Sequence, residues 1–218
     1  MGREERAITL DSSARASNPG RLRVSVLRWL TFKPKWPSIW FGVGLLSIVA
    51  ASWLHWLFWI PSTLLILLNV LYWIRVREHF WGGDANPGLV VSVDPLLVAV
   101  ATDLTQGVGA YPAVKVFEAS LPRMGGERPE VGSRIATVSL YSPGMNDAPH
   151  WGDFIPHPAQ YATGDDGRIE ELMQTFSAGD WSRLQRCLKQ VPKPYRPGLY
   201  MIDEESGRAV ARERPERS

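Results

Sequence analysis

Charged residues are absent from one long stretch of the chain, which runs through 38 positions from Pro37 to Ile74. A single α-helix of that length would measure about 57 Å, because each residue adds ~1.5 Å. A bilayer hydrocarbon core is ~30 Å thick and is crossed by about 20 apolar residues. The stretch is too long for one span and long enough for two. It therefore predicts a transmembrane helical hairpin within residues 36–76, with helices over about 37–54 and 57–74.

Tryptophan residues mark the centre and both ends of this uncharged stretch. The indole ring favours the membrane–water interface, because its body is apolar while its N–H bonds to water. A tryptophan cluster in the middle of an apolar stretch therefore predicts a turn at one membrane surface, with both outer ends at the other. The side chains that we predict at these interfaces are Trp36, Trp40, Trp53, Trp56, Trp59 and Trp73.

Basic residues flank the stretch on both sides and are missing from its turn. The positive-inside rule then predicts a multi-pass protein of the cell (inner) membrane with both termini in the cytoplasm. The length of the stretch and its aromatic and basic flanks disfavour a buried hairpin of a soluble protein. Its start after 36 mostly polar residues disfavours a cleaved signal peptide. The lipid bilayer is therefore the first predicted partner.

Small residues line one side of the first predicted span. Gly44, Ser47 and Ala51 recur at helical spacing, which allows another helix to approach closely. Asn69 lies within the second span, where an amide favours a hydrogen bond across helices. These four residues predict helix packing, either within the hairpin or against a second chain. Beyond the hairpin itself, the expected partner is either a second copy in a homo-oligomer or another membrane protein.

Charge is distributed unevenly along the chain. Residues 1–36 carry eight basic and three acidic side chains, whereas residues 78–191 carry eight basic and fourteen acidic ones. The basic segment lies beside the predicted membrane, where it suits anionic headgroups. The acidic part argues against nucleic-acid binding, which needs a basic face.

Downstream of the hairpin, short apolar or alternating segments predict strands, and Gly- and Pro-rich turns separate them. Four such segments are residues 89–93, 96–101, 113–119 and 134–140. Two amphipathic helices follow, each with apolar side chains at helical spacing. The first has Ile169, Leu172, Met173 and Phe176, and the second has Trp181, Leu184, Leu188 and Val191.

The predicted fold class is α+β. A two-helix transmembrane hairpin is followed by a small antiparallel β-barrel or curled sheet with a C-terminal helical hairpin. We expect a basic, mostly disordered cytoplasmic N-terminus over residues 1–35 and a cytoplasmic α+β domain over residues 78–192. Residues 193–218 are expected to form a largely disordered tail, because their end is charged and lacks apolar periodicity.

Three motifs of the soluble part carry a resemblance to a known family. They are Asn86-Pro87-Gly88-Leu89-Val90-Val91-Ser92, Ala101-Thr102-Asp103-Leu104 and Tyr111-Pro112-Ala113-Val114-Lys115. With them, residues 80–190 resemble a family of uncharacterised two-span bacterial membrane proteins with a soluble domain of unknown function. The resemblance implies a bacterial origin and a membrane-linked cytoplasmic domain. It implies no activity, cofactor or catalytic residue.

A short segment rich in His and Asp is the best candidate for chemistry. Asp147, His150, Asp153 and His157 fall within eleven residues. They offer the nitrogen and carboxylate donors of zinc and iron sites, but their spacing matches no compact metal motif. The alternative is a structural loop that packs three apolar side chains into the core, namely Trp151, Phe154 and Ile155. No cofactor is predicted.

Three functions are compatible with these patterns. The sequence favours a membrane-anchored cytoplasmic interaction or scaffolding module, because it contains no catalytic motif. The first alternative is a metal-dependent hydrolase that uses the 147–157 loop. The second is an accessory subunit of a transport complex, with the hairpin packed in a larger bundle of helices.

Overall fold

The computed structural model describes residues 16–53, 55–106, 109–124, 126–144, 148–203 and 208–212. Its helices are α1 (Val26–Phe32), α2 (Lys35–Trp53), α3 (Trp59–Gly82), α4 (Asp166–Gln174) and α5 (Ala178–Gln190), with 3-10 turns at Trp56–Phe58 and Ala159–Tyr161. Its strands are β1 (Asp84–Val93), β2 (Leu96–Asp103), β3 (Pro112–Glu118), β4 (Arg134–Ser142), β5 (Asp153–Pro158), β6 (Gly198–Asp203) and β7 (Arg208–Arg212). The predicted α+β class is confirmed, with an apolar helical hairpin ahead of a curled antiparallel sheet and its covering helices.

The hairpin consists of α2 and α3, which pack against each other. Gly44 and Ala51 are buried in α2, and Ser62 is buried in α3, so small residues lie where the two helices meet. Large apolar side chains cover the outside of both helices and are exposed. At the turn, the His55 ring accepts a hydrogen bond from the backbone N–H of Leu57 and caps the 3-10 turn.

All neighbouring strands of the sheet run antiparallel, in the order β5-β4-β1-β2-β3-β6-β7. The predicted turn at Asp94 and Pro95 joins β1 to β2, where Val93 pairs with Leu96. Fully buried valines of β1 to β4 form the centre of the core. Helix α5 packs across β1, β2 and β3, and α4 packs on β4. A capping box of Ser177 and Asp180 fixes the start of α5.

Two segments that were expected to lack regular secondary structure contain strands. Strand β6 pairs with β3 and β7 pairs with β6, so residues 198–203 and 208–212 of the expected tail belong to the sheet. Residues 153–157 of the expected 147–157 loop belong to strand β5, which ends at Pro158. Its two prolines argue against a strand in sequence, but β5 is an edge strand, where the missing N–H costs no ladder bond.

Candidate functional site at the junction of α3 and the sheet

Helix α3 continues past the hairpin into the core of the sheet domain. Val76, His79 and Phe80 share one face at helical spacing and are buried, Phe80 with 0% of its surface exposed. Strand β1 begins at Asp84, directly after the end of the helix. The apolar hairpin and the sheet are therefore joined by one continuous helix and not by a flexible linker.

The end of α3 is held by an N-terminal segment that precedes α1. The last carbonyl groups of a helix lack intrahelical partners, and here backbone N–H groups of residues 20–22 supply them. Gly20 donates to the carbonyl of Gly83 at 2.9 Å, Arg21 to that of Trp81 at 3.1 Å, and Leu22 to that of Phe80 at 3.0 Å. A Cβ at position 20 would lie 2.7 Å from a methyl group of Val138, so glycine permits this close approach. We call residues 17–22 the clasp.

The clasp corrects one expectation about the N-terminus. Residues 16–35 are ordered, because their backbone and side chains bond to α3 and β1, whereas the rest of the expected disordered region, residues 1–15, lies outside the described residues. Within this segment, α1 begins at an N-cap formed by Ser25. The composition of this segment does not show that its backbone N–H groups pair with the carbonyl groups at the end of α3.

Aromatic rings from four elements meet at this junction. Trp29 of α1 packs edge-on against Phe80 of α3, with 5.8 Å between ring centroids, and against His157 of β5, at 5.5 Å. Phe32 of α1 stacks on Tyr161 at 4.7 Å. We call these five residues, together with His79, the junction cluster. The cluster binds the end of the hairpin to the sheet through apolar contacts that exclude water.

Two histidines of the junction cluster stack on each other, and of these His79 is buried and His157 is partly buried. The ring centroids of His79 and His157 are 4.6 Å apart, with 28° between the ring planes. His79 Nε2 lies 2.8 Å from the carbonyl oxygen of Val138, and since a carbonyl only accepts, Nε2 carries the proton. Burial lowers the pKa of His157 well below its ordinary value, and nearby His79, Lys33 and Lys115 lower it further. His157 is therefore neutral in the folded protein.

This neutral histidine makes the stability of the folded chain dependent on pH. An unfolded histidine takes up a proton near pH 6.5, which the folded cluster excludes, so stability is present above that pH and is lost as the pH falls below it. We expect the free energy of unfolding to fall by up to about 1.4 kcal/mol per pH unit for this group. Denaturation of the full chain in detergent between pH 7.5 and pH 5 measures the slope.

Substitution of His157 identifies the source of the slope. His157→Gln removes the titrating group, and we expect a flatter dependence on pH than in the unmodified chain. His150→Gln is the matched control, because His150 lies away from α3, against Tyr111. Equal slopes for the unmodified chain and His157→Gln would contradict the assignment.

A partly buried polar network joins the clasp to three strands. The Asp84 carboxylate accepts hydrogen bonds from the backbone N–H of Asn18 at 2.9 Å and from the hydroxyl of Tyr141 at 3.0 Å. The Ser17 hydroxyl donates to the same carboxylate at 3.1 Å, and the Tyr141 hydroxyl bonds to that of Thr102 at 2.7 Å. These groups link β1, β2 and β4 to the clasp at a single carboxylate.

Burial sets the electrostatics of this network. Loss of water raises the pKa of Asp84, and the hydrogen bonds from Asn18 and Tyr141 oppose that rise. Loss of water and the nearby charge of Asp84 also raise the pKa of Tyr141, which stays a phenol. The carboxylate and the hydroxyl thus bond to each other and to the fold.

The structure separates the residues of the predicted metal site. The His150 ring nitrogen bonds to the carbonyl oxygen of Trp151, and Asp153 forms an ion pair with Lys115 at 2.7 Å. His157 lies in the junction cluster, and Asp147 is outside the described residues. Across the described ranges, no three His, Cys, Asp or Glu side chains are grouped to hold a metal ion. The structural alternative fits Trp151 and Phe154, which are buried, but Ile155 is exposed.

The predicted interface and packing residues lie along the hairpin. Trp36, Trp53, Trp56 and Trp59 are exposed, Trp53 most of all at 85%, while Trp40 and Trp73 are partly buried. Ser47 is partly buried on α2, where it lies between the buried Gly44 and Ala51. Asn69 is partly buried on α3. Two helical stretches are long and apolar enough to cross a bilayer by length and composition, namely Lys35–Trp53 and Trp56–Gly82. In the most apolar 18 residues of each stretch, only 11% and 6% of the segment is buried.

The sequence patterns do not point to the clasp, to Asp84 or to the histidine pair. Only the α3 contribution has a sequence signal, since Val76, His79 and Phe80 continue a helical spacing beyond the uncharged stretch. The remaining partners come from distant parts of the chain. No short-range pattern brings them together.

Two comparisons with known proteins each match about half of the chain. A family model described as "Protein of unknown function (DUF3239)" matches residues 74–192. A crystal structure of a "putative membrane protein" from Corynebacterium diphtheriae is similar over 55% of this chain and 100% of its own, with 20% identity and a TM-score of 0.47. None of the curated proteins matches the chain. The family match begins inside α3, so it includes the helix end that enters the core.

Proposed function

This chain belongs to the DUF3239 family of proteins of unknown function, and we propose that it is a membrane-anchored interaction or scaffolding module. In this proposal α2 and α3 cross a bacterial cell membrane, and the turn of the hairpin and the sheet domain lie on opposite sides. The sheet domain is cytoplasmic and binds a protein partner or a second copy. The observation that carries the proposal is the continuous helix α3, which runs from the hairpin into the core, where Phe80 is fully buried, and ends at Gly82.

The surface of the hairpin supports the membrane anchor. A core helix of a soluble protein would be buried, whereas α2 and α3 expose large apolar side chains along their length. Basic residues flank the hairpin at both outer ends, and the turn has none. These features favour a bilayer around the hairpin, with both outer ends on the cytoplasmic side.

Ionisable groups that already bond to partners within the fold favour a scaffold over an enzyme. The carboxylate of Asp84 and the ring of His79 bond to partners inside the fold. Asp103 accepts hydrogen bonds from the backbone N–H groups of Thr105 and Tyr111 and pairs with Arg183 at 3.2 Å. The Asp103 carboxylate, at the end of β2, therefore fixes the following turn and attaches it to Arg183 of α5.

Cysteine labelling tests the predicted orientation. The buried Cys187 stays in place, and the unmodified chain gives the labelling background. One variant carries His55→Cys in the turn, and a second carries Val131→Cys on the sheet domain, where Val131 is 66% exposed. With a membrane-impermeant maleimide on intact bacterial spheroplasts, we expect labelling at position 55 at once and at position 131 only after lysis. The reverse order would overturn the orientation.

The state of assembly tests the interaction role. The full chain is extracted from cells in polymer-bounded lipid discs, and its mass is measured with and without chemical cross-linking. We expect species heavier than one chain of 24.4 kDa, either with a second copy or with a defined partner. A single uncross-linked chain at every concentration would contradict the proposal, even if the labelling result holds.

A further inference from the structure

Helix α1 has an apolar outer face that is open to its surroundings. Leu27 is 80% exposed and Val26 is half-exposed, although Trp29 on the same helix is buried in the junction cluster. Residues two apart on a helix point in nearly opposite directions, so Leu27 faces away from the sheet domain. The helix thus packs one apolar face on the domain and presents another outwards.

The contacts of α1 place this face at the end of the hairpin. The Trp29 indole donates a hydrogen bond to the hydroxyl of Tyr72 on α3 at 2.6 Å. Tyr72 lies three residues before Arg75, where charges resume after the uncharged stretch. Only Lys33 and Pro34 separate α1 from the start of α2. The short helix therefore lies at the level at which the hairpin would leave the hydrocarbon core.

Basic side chains lie around the end of the hairpin, where α1 is placed. Residues 16–53 contain no Asp or Glu, and their basic side chains are Arg21, Arg23, Arg28, Lys33 and Lys35. The acidic residue of the adjoining α3 segment, Glu78, is paired with Arg75 at 3.1 Å. Among the described residues, none of these five side chains forms an ion pair with an acidic residue. An apolar face bordered by such cations is complementary to an anionic lipid surface, with acyl chains below and phosphates around.

We infer that the outer face of α1, centred on Leu27, is a membrane-binding surface that inserts into the headgroup region of an anionic phospholipid bilayer. The inference rests on the proposed membrane anchor and deepens it. Trp29 contacts His157 of β5 and Phe32 stacks on Tyr161, so the opposite face of α1 is attached to the sheet domain. Insertion of Leu27 therefore holds the sheet domain against the lipid surface at a third point besides α2 and α3.

Spin-label depth measurements on the full chain test this inference. Nitroxide labels are placed one at a time at Leu27→Cys, at Leu45→Cys in the middle of α2, and at Val131→Cys on the sheet domain. Each chain is reconstituted in nanodiscs of phosphatidylcholine alone or with phosphatidylglycerol, and collision with oxygen is compared with collision with a water-soluble nickel complex. We expect the oxygen-to-nickel ratio at position 27 to exceed that at position 131 several-fold, and to rise when phosphatidylglycerol is present.

The labels separate the failure of the inference from that of the anchor. A lipid-like ratio at position 45 with a water-like ratio at position 27 would overturn the inference and leave the anchor standing. Water-like ratios at both positions would overturn both. Strong dipolar broadening between labels at position 27 would mean that a second copy covers α1, which also overturns the inference. Lys33→Gln with Lys35→Gln should abolish the effect of phosphatidylglycerol.

Discussion

Replacing Phe80 with alanine is expected to lower the free energy of unfolding of the sheet domain by about 3–5 kcal/mol. The Phe80 ring is fully buried, and it packs between Trp29 and the histidine pair at the point where α3 enters the core. Its removal loses the transfer free energy of the ring and leaves a cavity that helix and strands cannot both close. Pulse proteolysis of the full chain in detergent across a denaturant series measures the loss.

A second phenylalanine provides the matched control. Phe41 is 70% exposed on the outside of α2, so Phe41→Ala removes the same atoms from a surface that lipid or detergent covers. We expect its effect on the sheet domain to stay within about 0.5 kcal/mol. If Phe80→Ala were as mild as Phe41→Ala, the end of α3 would not be part of the core, and the argument for a rigid joint would fail.

Replacing Asp84 with alanine is expected to cost about 2–4 kcal/mol and to release the clasp. Hydrogen bonds to a charged acceptor contribute about 1.5–3 kcal/mol each, and relief from burying the carboxylate offsets part of that loss. The variant leaves the N–H of Asn18 and the hydroxyl of Ser17 without their acceptor. The rate of trypsin cleavage at Arg21 measures release of the clasp, because the N–H of Arg21 is bonded to the end of α3 in the intact chain. Cleavage there should accelerate roughly 30-fold or more.

Two further variants separate charge from shape at this position. Asp84→Asn keeps a hydrogen-bond acceptor in place without the charge, and it should cleave at a rate between those of the unmodified chain and Asp84→Ala. Glu170→Ala removes an exposed acid from the middle of α4 and should leave both stability and cleavage at Arg21 unchanged. Unchanged cleavage in Asp84→Ala would show that the backbone bonds of the clasp suffice without the carboxylate.

The features that follow from sequence depend on near neighbours along the chain. The two apolar helices, the turn at Asp94 and Pro95 and the two amphipathic helices are set by composition and by a period of two or 3.6 residues, which a short window reveals. Strand β5 shows the limit of such windows. Its prolines oppose a strand locally, and only its place at the edge of the sheet makes them tolerable.

The sequence by itself determined that two helices long and apolar enough to span a bilayer precede a mixed α and β domain, because charge and hydrophobicity are properties of each segment alone. Only the tertiary structure decided what lies at the joint between them. The clasp, the Asp84 network and the pairing of His79 with His157 each bring together residues more than 50 positions apart. Such contacts depend on strand order and on where α3 ends, and no local period encodes either one. The same long-range packing placed β6 in the sheet. It also placed His150 against Tyr111 and His157 against His79, although the two histidines are only seven positions apart in sequence.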